Sequence, residues 1–281
     1  MSDTSTGKRA DTVIVERRGP TTLVVLDRPA ARNAVDPATA RALYDAMLAF
    51  EADPDAAVAV LAGRGESFCS GFDLKALAAG ETDAWLARTH FGESGEPPLG
   101  PMGPTRLRLT KPVIAAIAGP AVAGGMELAL WCDLRIMERS AWMGVLCRRW
   151  GVPLIDGGTV RLPRLVGLGR ALDLAPARRA LDLILTGRRV NADECLAIGL
   201  CERIAEPGTA LEAALQLAAD FAALPQVCLR SDRGAARYGA LGDEAAALQA
   251  EYLAGLAALR MEAHDGAARF AGGAGRHGAP A

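Results

Sequence analysis

A chain that must pass from an apolar strand through Gly119-Pro-Ala-Val-Ala-Gly-Gly125 into an apolar helix has few ways to fold. Val113–Ala118 reads as a short buried strand, and the run from Gly124 to Trp131 reads as a helix. Leu134–Met137 then starts another strand. The first N–H groups of a helix have no partner inside it, and glycine lets a ligand approach the backbone closely. Gly119–Asp133 is therefore placed to polarise a carbonyl oxygen, or to hold a developing oxyanion, with donors already in position. Close packing of a helix on a strand would require the same glycine pair. The segment alone does not choose between the two.

The surrounding elements set the class. Thr12–Arg17 and Thr21–Leu26 are β-branched stretches joined by Gly19-Pro20, which predicts a hairpin. Asp36 followed by Pro37 predicts a helix start, with Asp as N-cap and Pro in the first helical position. That helix carries Ala40, Leu43, Met47 and Phe50 at helical spacing and stops near Asp53-Pro54. Val58–Ala62 is another short buried strand. Strands and helices in this order predict a mixed α/β core. Glu93–Pro104, rich in Gly and Pro, reads as a mobile lid or binding loop. From about Thr209 to Ala263 the chain becomes Ala/Leu-rich and helical. The division expected is a disordered N-terminus over 1–10, an α/β core over 11–205, a helical oligomerisation region over 206–271 and a disordered tail over 272–281. Arg170-Ala-Leu-Asp-Leu174 recurs as Arg179-Ala-Leu-Asp-Leu183, a local duplication read as a tolerated surface insertion broken at Pro176.

Composition removes several function classes. The 281 residues carry a formal net charge of -2, which argues against nucleic acid as a partner. No apolar run reaches the roughly 20 residues of a membrane span, and Met1–Ala10 lacks the apolar stretch of a signal peptide. A cytoplasmic protein with no membrane partner is expected. The six cysteines have no C-x-x-C pair and no histidine at zinc-ligand spacing, so reduced thiols and no metal are expected.

Glu127 sits in the first turn of the apolar helix, beside Met126, Leu128, Ala129 and Leu130. Such surroundings raise a carboxyl pKa toward the range a general acid or base needs. A glutamate there also suits the helix dipole and can cap the N-terminus. A second segment, Gly63-Arg-Gly-Glu-Ser-Phe-Cys-Ser-Gly-Phe-Asp-Leu-Lys-Ala-Leu77, places Gly71-Phe72 between a strand and a helix. The Phe72 N–H is thus a candidate second donor.

These two stretches resemble the crotonase superfamily of enoyl-CoA hydratases and isomerases. Ser70-Gly-Phe-Asp-Leu-Lys75 has the S/A-G-x-D-I/L-K form, and Gly119–Leu128 has the G-x-A-x-x-G-G-x-E-L form, ending at Cys132-Asp133. Leu26-Asp-Arg-Pro-Ala-Ala-Arg-Asn-Ala34 resembles the early L-x-R-P-x-x-x-N-A motif, and Thr186-Gly-Arg with Ala192–Leu200 resembles the later T-G and A-x-x-A-x-x-x-G-L pattern. The matches run in order over roughly residues 12–270. The resemblance implies a spiral of ββα units followed by a helical trimerisation region, assembled as a homotrimer or a dimer of trimers. It implies an acyl-CoA substrate, no separate cofactor, and an oxyanion hole for the thioester oxygen made by the N–H groups of Phe72 and Gly124. It also implies that backbone at Cys69, Ser70 and Gly71 meets the CoA, with Arg28 and Lys75 as candidates for its phosphates and Phe270 packing beside a neighbour's CoA. For Arg28 and Lys75 the alternative is solvated surface charge.

One departure from the family pattern stands out. Hydratases of the superfamily use two glutamates on opposite sides of a water. Glu127 matches the first. Aligned through Gly144, Gly151 and Gly157-Gly158-Thr159, the second falls on Cys147, and a thiol titrates far from a carboxyl. Asp156, before Gly157-Gly158, resembles the Asp in a D-G-G setting of dihydroxynaphthoyl-CoA synthases. It either takes over acid/base work or caps the turn and the next helix. Cys147 as a nucleophile would need an activating base, and only His90, His264 and His277 exist. A space-filling cysteine in the substrate pocket is the reading adopted. The expected activity is addition of water to a 2-enoyl-CoA. The alternatives are isomerisation, decarboxylation or hydrolysis through the same thioester enolate, or acyl-CoA binding with weakened catalysis.

Overall fold

The predicted hairpin opens the fold of the computed structural model, which describes residues 12–89, 98–167 and 176–238. Strand β1 (Val13–Arg18) pairs antiparallel with β2 (Thr21–Leu26), Val13 facing Leu26 and Arg18 facing Thr21. Helix α1 (Pro37–Ala52) begins where Asp36 and Pro37 predict, the Asp36 carboxylate accepting the Thr39 N–H at 2.8 Å. Its far end is closed by buried Lys111, whose Nζ donates to the carbonyls of Phe50 at 2.9 Å and Asp53 at 2.5 Å.

The main sheet has six strands in the order β1-β2-β3-β4-β6-β9. β3 spans Val58–Gly63, β4 Val113–Ile117, β6 Leu134–Glu138 and β9 Arg203–Ala205, each parallel to its neighbour from β2 onward. Because side chains alternate along a strand, each strand feeds two cores. Ala59, Leu61, Ala115, Ile117 and Met137 join the cluster that includes α1 and helix α4 (Gly124–Trp131). Val58, Val60, Ile114, Ala116 and Ile136 face the other way, onto Ala214, Leu217 and Ala218 of helix α8 (Ala210–Ala222). The near-continuous apolar strands are those of a sheet covered on both faces.

A smaller sheet sits beside it. β5 (Ala121–Val122) runs parallel to β7 (Trp142–Gly144), and β7 pairs antiparallel with β8 (Arg189–Asn191). The remaining helices are α2 (Leu74–Ala78), α3 (Asp83–Arg88), α5 (Gly158–Gly167), α6 (Pro176–Thr186), α7 (Ala192–Ala197) and α9 (Gln226–Tyr238). Buried Arg135, on β6, fixes the end of α4. Its guanidinium donates to the carbonyls of Ala129 at 3.3 Å, Cys132 at 3.1 Å and Leu200 at 2.9 Å, and pairs with Glu202.

The part of the predicted lid that is described, residues 98–104, is not an exposed mobile loop. Gly100 and Gly103 exchange both backbone hydrogen bonds at 2.8 Å, and Gly100 through Pro104 are buried. Helix α6 carries the second copy of the duplicated segment. The first copy, 170–174, lies outside the described residues, as do His90, His264, His277, Phe270, both expected disordered ends and the helical stretch beyond 238.

Candidate active site

The glycine turn and the Ser70-Gly71-Phe72 segment come together through two parallel bridges, Cys69 with Ala121 and Val35 with Phe72. In the second bridge the Val35 N–H donates to the Gly71 carbonyl at 2.8 Å, and the Asp73 N–H donates to the Val35 carbonyl at 3.0 Å. The Phe72 N–H therefore points to the opposite side, as strand alternation requires. On that side lies the start of α4. Gly71 (φ +94) packs so closely that a Cβ would lie 2.9 Å from the Ala123 Cβ and 3.0 Å from the Gly124 nitrogen. Only glycine takes that conformation in that space. Likewise a Cβ on Gly125 would overlap the Cys69 carbonyl oxygen.

Ala123, the residue before α4, has φ 53 and ψ -127, a region a non-glycine residue enters only under strain of about 1–3 kcal/mol. Its N–H is held by the Gly144 carbonyl at 2.9 Å, so β7 stabilises the strained peptide. Among the described residues neither the Phe72 nor the Gly124 N–H has a protein acceptor. Both residues line a cavity of about 470 Å3, together with Ser70, Val122, Glu127, Cys147 and Asp156. Leu74, Leu77, Leu86, Trp150 and Ile155 make the rest of its wall apolar.

Glu127 is 2 % exposed. It does not cap its own helix. Its Oε1 instead accepts the N–H groups of Asp156 at 2.9 Å and Gly158 at 2.7 Å, leaving Oε2 without a protein donor among the described residues. Burial, reinforced by the charge of Asp156, raises its pKa to about 8, against the two N–H donors and Arg161. Gly158 must be small here, because a Cβ would sit 3.0 Å from the Glu127 side chain.

Asp156 is also buried. Its Oδ1 accepts the Met102 N–H at 3.0 Å and the Thr105 hydroxyl, so the carboxylate caps the Gly100–Arg106 segment rather than its own turn. Burial raises its pKa, opposed by Thr105, Met102, Arg106 and Arg161. Cys147, on the 3-10 turn Leu146–Trp150, is buried on the same cavity wall as Glu127. Burial and the nearby Glu127 carboxylate both push its thiol up, away from the thiolate form.

The residues expected to meet CoA are placed unequally. Ser70 lines the cavity. Cys69 does not: its N–H is given to Pro120, its carbonyl receives the Val122 N–H, and its Sγ–H donates to the Asn33 carbonyl at 3.1 Å. Its backbone is spent on the scaffold, and it serves the site by placing Ser70 and Gly71. Arg28 is half-buried and ion-paired. It pairs with Asp73 at 3.0 Å and Asp36 at 3.4 Å and donates to the Ala34 carbonyl, while Asn33 accepts the Arg28 N–H at 3.0 Å. The L-x-R-P-x-x-x-N-A motif is thus a knot tying β2, α1 and α2 together, with the guanidinium shared between two carboxylates. Lys75 is exposed on α2, with no ion pair among the described residues.

Sequence reasoning missed Met102, whose Sδ lies 2.6 Å from where a Gly124 Cβ would be, and the pair Thr105 and Arg161 that hold Asp156. Only the Gly/Pro character of the 93–104 stretch pointed to that side of the site.

Comparison with known proteins agrees with this geometry. Residues 17–251 match the model of the family described as enoyl-CoA hydratase/isomerase. An enoyl-CoA hydratase of Mycobacterium tuberculosis is 38% identical over 212 residues, 73% of this chain and 72% of that protein. A carnitinyl-CoA dehydratase of Salmonella arizonae is 39% identical over 212 residues, 74% of each chain. Among solved structures, an enoyl-CoA hydratase of Mycobacterium marinum superposes with a TM-score of 0.81 at 32% identity, covering 92% of this chain and 95% of that one. The fold is accordingly that of the crotonase-type hydratases, and no helix among the described residues is long and apolar enough to cross a membrane.

Proposed function

The chain belongs to the enoyl-CoA hydratase/isomerase family, and from that premise we propose that it is an enoyl-CoA hydratase-type lyase, adding water to a 2-enoyl-CoA or removing it from the 3-hydroxyacyl product. The observation that carries this is one cavity with two kinds of group on its walls. Phe72 and Gly124, whose N–H groups have no protein acceptor among the described residues, line it together with Glu127, a buried carboxyl whose pKa is raised to about 8.

The chemistry follows from that pairing. The thioester oxygen accepts from Phe72 and Gly124. As water attacks Cβ, the C=C electron pair moves toward the thioester and negative charge collects on that oxygen, where fixed donors hold it. Glu127 takes the proton from the attacking water through Oε2, while the Asp156 and Gly158 N–H groups hold Oε1. The enolate then collapses, its electron pair taking a proton at Cα. With Cys147 where a second carboxyl would stand, Glu127 is the group that returns it. A base titrating near 8 is far stronger than an ordinary carboxylate, which helps it accept a proton from water. The acyl group lies against Leu74, Leu77, Leu86 and Ile155. Ser70, the Gly71 backbone and Lys75 lie toward the CoA, and the reaction asks for no cofactor beyond the CoA the substrate carries. Assembly as a trimer or a dimer of trimers, with Phe270 beside a neighbour's CoA, belongs to the same proposal.

Hydration of crotonyl-CoA, with Glu127→Gln as control, tests it. Turnover by the wild type that falls at least a hundredfold in the variant is expected. Background rates in both would remove the hydratase assignment. A second reading rests on Cys147: one acid/base suffices to move a proton between carbons, so double-bond isomerisation or another enolate reaction suits the site equally. Deuterium uptake at Cα of a saturated acyl-CoA without hydration of the enoyl thioester would select it. Tight acyl-CoA binding with no turnover would instead leave a binding protein.

A further inference from the structure

Asp156 touches both halves of the site through different atoms. Its N–H donates to Glu127 Oε1 at 2.9 Å. Its Oδ1 accepts the Met102 N–H at 3.0 Å and the Thr105 hydroxyl, and it is 3 % exposed. Met102 belongs to the tight turn closed by Gly100 and Gly103, and Thr105 to the 3-10 turn Pro104–Arg106 that follows it. Met102, at its tip, covers the start of α4, its Sδ 2.6 Å from where a Gly124 Cβ would lie. Two arginines clamp the arrangement from outside. Arg161 donates to the carbonyls of Asp156 at 2.7 Å and Thr105 at 2.5 Å, while Arg106 donates to the carbonyls of Leu99 at 3.1 Å and Ile155 at 3.4 Å. The Gly100–Arg106 segment is held on its other side by its own Gly100–Gly103 pair and by the Trp85 indole N–H, which donates to the Pro101 carbonyl at 2.9 Å, so the carboxylate and the guanidinium groups fix the side that faces Glu127.

We infer that Asp156 is a positioning residue and not the second acid/base: its carboxylate latches the Met102 turn against Gly124 while its peptide N–H aims Glu127. This rests on the enolate chemistry proposed for the cavity. The arrangement makes oxyanion stabilisation and proton transfer depend on one buried residue. When the turn is latched, Met102 packs against Gly124 and fixes where that donor sits, and a fixed donor is what holds the thioester oxygen as charge develops.

Substitution separates the two roles, because an amide can accept both hydrogen bonds but cannot transfer a proton at neutral pH. Asp156→Asn should keep kcat for enoyl-CoA turnover within threefold of wild type. Asp156→Ala should lower it at least tenfold, with the loss in kcat rather than KM. Amide hydrogen exchange over residues 98–106 reads the latch without any substrate, and should quicken at least tenfold in Asp156→Ala but not in Asp156→Asn. Thr105→Val removes one arm of the latch and should give smaller changes in the same direction, which keeps the test open if Asp156→Ala fails to fold. Equal loss of kcat in the Asn and Ala variants, with exchange unchanged in both, would overturn the inference and assign proton transfer to Asp156. Unchanged exchange in Thr105→Val and Asp156→Ala would overturn it as well. A wild type that turns over no enoyl-CoA would remove the proposed function, while the exchange comparison would still decide the latch.

Discussion

Replacing Glu127 by Gln should destroy activity and make the protein more stable, by an amount that grows with pH. Glutamine keeps the oxygen that accepts from Asp156 and Gly158 but carries no charge. In the wild type the fold holds the carboxyl near 8 against an ordinary 4.5, so folding favours the neutral form. The stability this group contributes is complete below about 4.5 and is lost as pH climbs toward about 8, above which the loss is constant. At about 1.4 kcal/mol per pH unit of that interval, the ionisation penalty is roughly 3 kcal/mol at pH 7 and under about 1 kcal/mol at pH 5. Glu127→Gln escapes it. For a chain of this size that corresponds to a rise in Tm of roughly 5–10 °C at pH 7 and of no more than about 2 °C at pH 5. Paired thermal scans of the two proteins at pH 5, 7 and 9, with kcat measured on the same samples, read both effects. A Tm difference that does not grow between pH 5 and pH 7 would refute the claim that burial strains this carboxylate. An inactive variant of unchanged stability would still leave Glu127 as the base but remove its raised pKa as the reason.

Four further outcomes are expected. With Glu127 acting as base, kcat/KM should climb about tenfold per pH unit up to about pH 8 and then level off, and a pH-rate profile flat from 6 to 9 would contradict this. Gly71→Ala would press a Cβ against Ala123 and the Gly124 nitrogen and should lower kcat by about 10²–10³ with the fold retained, as loss of an oxyanion donor does; unchanged kcat would dissolve the Phe72–Gly124 hole. Cys147→Glu puts a second carboxylate on the cavity wall, so the acid limb of the profile should move to higher pH through like-charge repulsion, and crotonyl-CoA hydration should quicken by about tenfold or more. Arg135→Met strips the donors from the Ala129, Cys132 and Leu200 carbonyls and should cost about 3 kcal/mol of stability in a denaturation midpoint, with little change in KM.

Local chemistry made much of this readable in the chain. Asp36-Pro37 can only start a helix well, and the Val58, Val113 and Leu134 strands announce themselves because a sheet covered on both faces needs continuous apolar residues. The glycines of the 119–125 turn and Gly71 mark close backbone approach. Arg28 shows where such reading stops. A basic residue in a motif looks the same whether it awaits a phosphate or joins two carboxylates, and one of its partners, Asp73, lies 45 residues along the chain.

What the sequence by itself determined is the opening hairpin, helices α1 and α4, the strands β3, β4 and β6, the glycine turn, and the presence of a carboxyl in an apolar helix, since each depends on neighbours within a few residues. It also supplied the family pattern, and with it the absence of a second glutamate at Cys147. Only the tertiary structure decided the surroundings of Glu127 and Asp156. Glu127 titrates near 8 because three-dimensional burial and a carboxylate 29 residues away surround it. The Asp156 carboxylate accepts from Met102 and Thr105, which lie 54 and 51 residues back along the chain. Burial and hydrogen bonding between distant segments are sums over contacts that no local pattern encodes, and they set the chemistry of this site.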